Sequence, residues 1–160
     1  MTMDRREWMK LATSIVICEL AGVAGSIFTV SSIPTWYAGL SKPWFSPPNW
    51  VFAPVWVALY AMMGAAAYIA IREEAKGRHV RLALGVFVIQ LALNVLWSGV
   101  FFGLRSPIAG LAVIIALWLM IAYTIRLFLR ISRPSGLLLV PYIAWVSFAA
   151  LLNYYVYALN

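Results

Sequence analysis

Five apolar segments, each long enough to cross a lipid bilayer as a helix, alternate with short polar segments along the 160-residue chain. Pro107 and Pro141 fall in the first turns of two of these segments, where proline is compatible with a helix. The pattern predicts one all-α integral membrane domain over residues 1–160, folded as a five-helix bundle. The predicted spans are about residues 11–30, 50–71, 82–104, 107–129 and 137–157.

The connection between the first two spans is long, aromatic and rich in proline. The segment Pro34–Trp56 holds five of the eight prolines and four of the eight tryptophans. Four prolines follow Lys42 within a dozen residues, so an uninterrupted helix cannot pass through its first part. Such a stiff aromatic connection differs from a solvated linker and indicates a lid or a binding surface.

The composition agrees with a membrane protein. Hydrophobic residues make up 64% of the chain and charged residues 11%, which excludes a water-soluble domain. The single cysteine, Cys18, excludes a disulfide framework. The basic start followed by an apolar run also fits a cleaved signal peptide, with a small-residue site at residues 21–25. We favour a first span, because Glu19 interrupts the apolar run.

The basic residues are distributed unequally between the two sides of a five-span bundle. One side carries ten of them and the other only Lys42 and Arg105, a strong positive-inside bias. We therefore predict a multi-pass cell-membrane protein with a cytoplasmic N-terminus, and with the proline-rich loop and the C-terminus outside. The net charge of +7 does not indicate nucleic-acid binding, because the basic residues form no single patch. The ten are Arg5, Arg6, Lys10, Arg72, Lys76, Arg78, Arg81, Arg126, Arg130 and Arg133.

Polar and aromatic residues recur at helical spacing on three of the predicted spans. At about 1.5 Å per residue, several of them reach a common layer roughly 9–18 Å below the outer end of the bundle. Polar groups in a membrane mark interior faces, so the stripes predict a pocket beneath the loop for a flat, mostly apolar ligand. The stripes are Trp56, Tyr60 and Gly64; Gln90, Asn94, Trp97 and Ser98; and Tyr142, Trp145, Ala149 and Asn153.

Other roles compete with ligand binding at several of these positions. Tryptophans near the membrane surface usually act as anchors, the role we favour for Trp8, Trp44 and Trp50. Trp118 has no polar neighbours in sequence and is expected to pack. Asn94 is as well suited to joining helices as to contacting a ligand.

The sequence offers little for acid–base or metal chemistry. The single histidine, His79, lies in the basic loop away from the predicted pocket, and no acidic residue follows Glu74. We therefore predict no metal site and no carboxylate pair. Glu19 is expected to make a structural hydrogen bond rather than to relay protons.

A small-residue motif raises the question of self-association. Gly99 and Gly103 form a G-x-x-x-G pattern in the third span, which favours a homodimer interface. Ala21 and Gly25 offer an alternative in the first span. Packing within one chain explains Gly99 and Gly103 equally well.

Three motifs resemble the tryptophan-rich sensory protein/translocator family, TspO/MBR. They are W-Y-x-x-L-x-K-P-W-x-x-P-P-x-W-V-F-x-P-x-W at residues 36–56, N-x-x-W-S-x-x-F-F at 94–102 and V-P-Y-x-x-W at 140–145. The resemblance implies a five-helix bundle, commonly dimeric, with a pocket closed by the first loop. It also implies flat ligands, above all porphyrins and other tetrapyrroles, with no cofactor required.

The resemblance further implies roles for individual residues. Light-dependent porphyrin breakdown, proposed for the family, would use Trp56 and Trp145; otherwise no catalytic residue is expected. A passive translocator is a third reading. The family's C-terminal sterol motif is absent, because no basic residue follows Arg133. The implied ligand-lining residues are Trp36, Tyr37, Trp56, Asn94, Trp97, Ser98, Trp145 and Ala149, and the implied loop-shaping residues are Lys42, Pro43, Pro47 and Pro48.

Overall fold

The computed structural model describes residues 4–74 and 80–160, and it confirms the predicted all-α fold with five membrane-length helical stretches. Part of the predicted 72–81 loop, including His79, lies outside the described residues. The fifth span consists of a short helix, α5, and the longer helix α6, which together form one membrane-length stretch. The helices are α1 Arg5–Ser32, α2 Phe52–Glu74, α3 Arg81–Ser98, α4 Pro107–Ile131, α5 Arg133–Leu137 and α6 Val140–Leu159.

Local capping explains where two of the helices begin. Helix α1 starts six residues before the predicted span, because the Asp4 side chain accepts a hydrogen bond from the backbone N–H of Arg5. Lys10 and Glu7 then pair at 2.8 Å across the first turns of the helix. In α4, the Ser106 side chain caps the helix and Pro107 occupies its first turn, as predicted.

Helices α1 and α2 pack closely at Gly64. A Cβ atom at Gly64 would lie 2.5 Å from the Cα atom of Ile15, so this contact requires glycine. Nearby, the Glu7 carboxylate accepts a hydrogen bond from the Tyr68 hydroxyl at 2.9 Å and lies 3.4 Å from Nε of Arg72. These contacts hold the first half of α1 firmly against α2.

The first loop, residues 33–51, folds around a lysine. Nζ of Lys42 donates hydrogen bonds to the backbone carbonyls of Tyr37 at 2.7 Å, Leu40 at 3.1 Å and Ala38 at 3.4 Å. One ammonium group therefore gathers three carbonyls of the irregular backbone, and the Tyr37 carbonyl also accepts a hydrogen bond from the Leu40 N–H. The loop-shaping role that the resemblance implies for Lys42 stays a prediction.

The prolines of the loop limit its conformations. Pro43 is buried, and Pro47 and Pro48 precede a short 3₁₀ turn at Asn49–Val51 that leads directly into α2. Because these prolines fix φ, they stiffen the approach to α2. The loop-shaping role of Pro43, Pro47 and Pro48 likewise stays a prediction.

A π-helical turn, Gly99–Gly103, extends α3 beyond Ser98. It turns two consecutive side chains, Phe101 and Phe102, into the bundle, and both are buried. The Ser32 hydroxyl at the end of α1 donates a hydrogen bond to the Phe102 carbonyl at 3.0 Å. The turn thus fastens the end of α3 to the end of α1.

The predicted dimer motif, Gly99 and Gly103, has an intrachain neighbour. A Cβ atom would lie 3.6 Å from the Phe28 ring at Gly99 and 3.0 Å from it at Gly103. The structure therefore shows the alternative role, packing within one chain. Dimerisation through these glycines stays a prediction.

Candidate functional site

A cavity of about 370 Å³ lies between α1, α2, α3 and α6, directly beneath the first loop. Its volume falls in the range of roughly 300–1,000 Å³ that small-molecule sites occupy. Its walls are mostly apolar and aromatic. The position is the one predicted from the three stripes.

Seven of the eight predicted ligand-lining residues contribute to the cavity wall. The exception is Trp36, whose ring packs edge-on against Phe101 at a centroid distance of 5.6 Å and so supports the wall from behind. Gly64, the last residue of the α2 stripe, packs against the backbone of α1 and does not line the cavity. The seven are Tyr37, Trp56, Asn94, Trp97, Ser98, Trp145 and Ala149.

A hydrogen-bonded chain of side chains joins α2, α3 and α6 at the inner end of the cavity. The Tyr60 hydroxyl donates to Oδ1 of Asn94 at 2.7 Å, and Nδ2 of Asn94 donates to the Tyr142 hydroxyl at 2.8 Å. That hydroxyl in turn donates to Oε1 of Gln90 at 2.9 Å. Asn94 therefore joins three helices while also lining the cavity, so its two predicted roles are compatible.

A second polar contact orients Trp97. Its indole N–H donates to Oδ1 of Asn153 at 3.1 Å, and Nδ2 of Asn153 donates to the Pro107 carbonyl at 2.7 Å. The Trp97 ring stacks on Phe101 with centroids 5.5 Å apart. Since its polar edge is satisfied by protein, Trp97 offers the cavity mainly its apolar surface.

Tyr37 forms the roof. Its buried ring lies 5.7 Å from the Phe102 ring and 6.3 Å from the Phe101 ring. Lys42 Nζ lies 4.8 Å from the centre of the Tyr37 ring, within cation–π range. Burial raises the pKa of the Tyr37 phenol above its ordinary value.

Helix α1 forms a wall of the cavity that was not predicted from the sequence. One face of the helix lines the cavity, including Glu19, Val23 and Ser26. Small residues allow this close approach: a Cβ atom at Gly22 would lie 2.5 Å from the Tyr60 ring, and one at Gly25 would lie 3.1 Å from Oγ of Ser98. The helical spacing of Glu19, Gly22 and Ser26 within an apolar segment was the sequence signal that could have indicated this wall.

The cavity opens sideways between α1 and α2. Three lining valines are also largely exposed: Val23 at 58%, Val30 at 71% and Val57 at 57%. Because exposed apolar side chains on membrane-length helices face lipid, these valines form the rim of an opening toward the hydrocarbon.

The remaining tryptophans lie away from the cavity. Trp44, Trp50 and Trp8 are exposed, positions that suit the predicted anchoring role. Trp118 has a polar partner that the sequence did not indicate, because its indole N–H donates to Oγ of Ser147 at 2.8 Å. This bond joins α4 to α6.

Few chemically reactive polar groups face the cavity. Among residues 4–74 and 80–160, no group of three His, Cys, Asp or Glu side chains converges as a metal site would require. The buried indole N–H of Trp145 has no hydrogen-bond partner among the residues that the structure describes. The cavity thus combines aromatic surfaces with a few polar groups, the composition that orients a bound small molecule.

Comparison with known proteins agrees with the motifs. A family model described as the TspO/MBR family matches residues 14–159. The chain is 44% identical over 155 residues to a tryptophan-rich protein TspO of Chlorobaculum tepidum, covering 97% of this chain and 98% of the relative. It is 36% identical over 154 residues to a tryptophan-rich sensory protein of Cereibacter sphaeroides, covering 96% and 93%. It is also 36% identical over 149 residues to a translocator protein of Bos taurus, covering 92% and 88%.

Proposed function

This chain belongs to the TspO/MBR family, and we propose that it is a membrane receptor-translocator that binds a porphyrin or another flat apolar molecule beneath its first loop. Family membership supports a membrane receptor or translocator, and the names of the relatives include both sensory and translocator proteins. The tetrapyrrole ligand and its regulation or transport are our proposal.

The observation that carries this proposal is the cavity with three tryptophans in its wall. Trp56, Trp97 and Trp145 come from three different helices and line one space. Aromatic faces attract a flat conjugated ring through dispersion and stacking, and they exclude water from it. The sideways opening lets such a ligand enter from the bilayer, where apolar molecules concentrate.

The test is to fill the cavity and compare with an equal change on the lipid face. Ala149 lines the cavity, whereas Ala144 is exposed on the same helix. Protoporphyrin should quench the tryptophan fluorescence of the wild type saturably. Ala149→Leu should weaken binding roughly tenfold through overpacking, and Ala144→Leu should not. Absence of saturable quenching, or equal affinity in both variants, contradicts the proposal.

For topology, we propose that the N-terminus faces the cytoplasm and that the loop and C-terminus face outward across the cell membrane. The support is the ten-to-two distribution of basic residues along the sequence. A single cysteine placed at Ser41 or at Thr2 distinguishes the orientations by labelling with a membrane-impermeant maleimide, in a Cys18→Ala background. Labelling of Thr2→Cys alone in intact cells contradicts the assignment.

A second candidate function is light-dependent oxidation of the bound porphyrin. Its support is the position of Trp56, which lines the cavity and lies 5.6 Å from the Tyr60 ring and 6.3 Å from the Tyr142 ring, measured between centroids. Such a cluster of oxidisable rings is suited to one-electron chemistry. Illumination in air should then yield more than one product per protein, and Trp56→Phe should abolish turnover. Bleaching limited to one equivalent excludes catalysis.

A further inference from the structure

Glu19 is a carboxyl group in the middle of a membrane-spanning helix. Counting along α1, it lies about 20 Å from either end of the helix. A charged or strongly polar side chain at this depth is costly and usually faces the interior of a bundle. Glu19 follows this rule, because it lines the cavity together with Gly22, Val23 and Ser26 from the same face.

The protein leaves this carboxyl without a polar partner. Within the described part of the chain, no hydrogen bond or ion pair joins Glu19 to another residue. The hydroxyls of Ser26 and Thr29 donate instead to carbonyls of their own helix, at 2.7 and 3.1 Å. The Tyr60 hydroxyl across the cavity donates to Asn94. The predicted structural hydrogen bond of Glu19 is therefore absent among these residues.

The surroundings of Glu19 also supply no positive charge. The described residues that line the cavity include no lysine, arginine or histidine. Glu19 is only partly buried by protein, but at the middle of a membrane-spanning helix the rest of its surroundings is cavity or hydrocarbon. A polar group without a donor carries a penalty there, which any molecule bringing a donor would reduce. A ligand bound in the cavity beside Glu19 would supply such a donor.

We propose that Glu19 determines the specificity of the cavity by accepting a hydrogen bond from an N–H group of the ligand. The ligand class is flat apolar molecules that carry such a donor on an outer edge. This inference rests on the proposed function in assuming that the cavity holds a ligand. It concerns recognition of the N–H group and does not require the ligand to be a porphyrin.

A pair of small fluorescent probes isolates the N–H group. Carbazole is flat and apolar and carries one N–H, and N-methylcarbazole replaces that hydrogen with a methyl group. Dissociation constants for both are measured by energy transfer from tryptophan in lipid nanodiscs. The wild type should bind carbazole about tenfold more tightly than N-methylcarbazole, as expected for one hydrogen bond in a water-poor site.

Variants of Glu19 then show whether this residue causes the preference. Glu19→Met should bind the two probes about equally well. Glu19→Gln keeps a carbonyl acceptor and should retain part of the preference for carbazole. Leu20→Ala, on the lipid-exposed side of the same helix, should leave the wild-type preference unchanged. Comparing preferences between proteins cancels differences in partitioning of the two probes into lipid.

The outcomes separate this inference from the proposed function. If Glu19→Met keeps the wild-type preference, or if neither carbazole binds the wild type, the role of Glu19 is wrong. If protoporphyrin fails to bind but the carbazole preference depends on Glu19, the tetrapyrrole ligand is wrong and the role of Glu19 stands. If protoporphyrin binds in an Ala149-dependent manner without any Glu19-dependent preference, only the inference is overturned.

Discussion

Asn160 and Ser41, which are 119 positions apart, form a closed pair of hydrogen bonds. The backbone N–H of Ser41 donates to Oδ1 of Asn160 at 2.9 Å, and Nδ2 of Asn160 donates to the Ser41 carbonyl at 3.0 Å. The same amide nitrogen also donates to the Val156 carbonyl at 2.8 Å, which fixes its orientation. This pair fastens the first loop to the end of α6, directly beside the roof of the cavity.

Breaking that pair should loosen the roof. Asn160→Ala removes both hydrogen bonds to Ser41, and we expect bound protoporphyrin to dissociate roughly tenfold faster, since each bond contributes about 1 kcal/mol. Asn160→Asp keeps the acceptor for the Ser41 N–H and should have a smaller effect. Stopped-flow fluorescence measures the dissociation rate. Tyr157→Phe, an exposed change near the same end of α6, serves as the control, and equal rates in all proteins would contradict a fastened roof.

Removing the Asn94 amide should destabilise the bundle. In Asn94→Leu, the buried Tyr60 hydroxyl loses its acceptor, and we expect the free energy of unfolding to fall by about 1–3 kcal/mol. Unfolding by a denaturing detergent, followed by tryptophan fluorescence, measures the change. Ser147→Ala removes an exposed hydrogen bond instead and should cost less. An Asn94→Leu protein as stable as the wild type would show that the three-helix hydrogen-bond chain contributes nothing.

Two glycine-to-alanine substitutions should have opposite effects on stability. At Gly64 an added Cβ atom would lie 2.5 Å from the Ile15 backbone, so Gly64→Ala forces α1 away from α2 and should destabilise the protein. At Gly85 an added Cβ atom would meet no packing neighbour within 4 Å. Gly85→Ala should therefore stabilise α3 by up to about 1 kcal/mol through helix propensity. Thermal unfolding of both variants in one detergent measures the signs. Similar shifts in the two would refute the close contact.

The dimer prediction needs a test that takes Phe28 into account. If α3 forms a homodimer interface, Gly99→Leu with Gly103→Leu should abolish the dimer in detergent. Leucine side chains at these positions would also clash with the Phe28 ring. The double substitution should therefore be repeated in a Phe28→Ala background, where that ring is absent. Crosslinking and size-exclusion chromatography with light scattering measure the oligomer. A dimer that persists in the Phe28→Ala background excludes this interface, and loss of the dimer by Phe28→Ala alone would indicate an indirect effect.

Much of the architecture could be predicted, because the length of each apolar segment indicates a membrane span and the spacing of its polar residues indicates the interior face. The spacing of Gln90, Asn94 and Ser98, together with Trp56 and Trp145, located the cavity within the bundle. The periodicity was informative there because the contrast between polar and apolar residues is large in a membrane.

The missing parts depend on tertiary contacts that periodicity does not reveal. The face of α1 toward the cavity combines polar residues such as Glu19 with Gly22 and Val23, which resemble ordinary lipid-facing positions, so the sequence signal on this face is weak. The partners of Asn160 and Trp118 come from distant parts of the chain. Trp36 was expected inside the cavity because of the resemblance, but aromatic packing places it one layer behind.

The π-helical turn at Gly99–Gly103 makes the length of the third span as consequential as its composition. An extra residue in a helical turn rotates everything beyond it by about 100° relative to a continuous α-helix. Here that rotation brings Phe101 and Phe102 to the same interior. Deleting one residue from this turn would therefore rotate Phe101 or Phe102 out of the bundle interior and leave one aromatic ring fewer in the wall of the cavity.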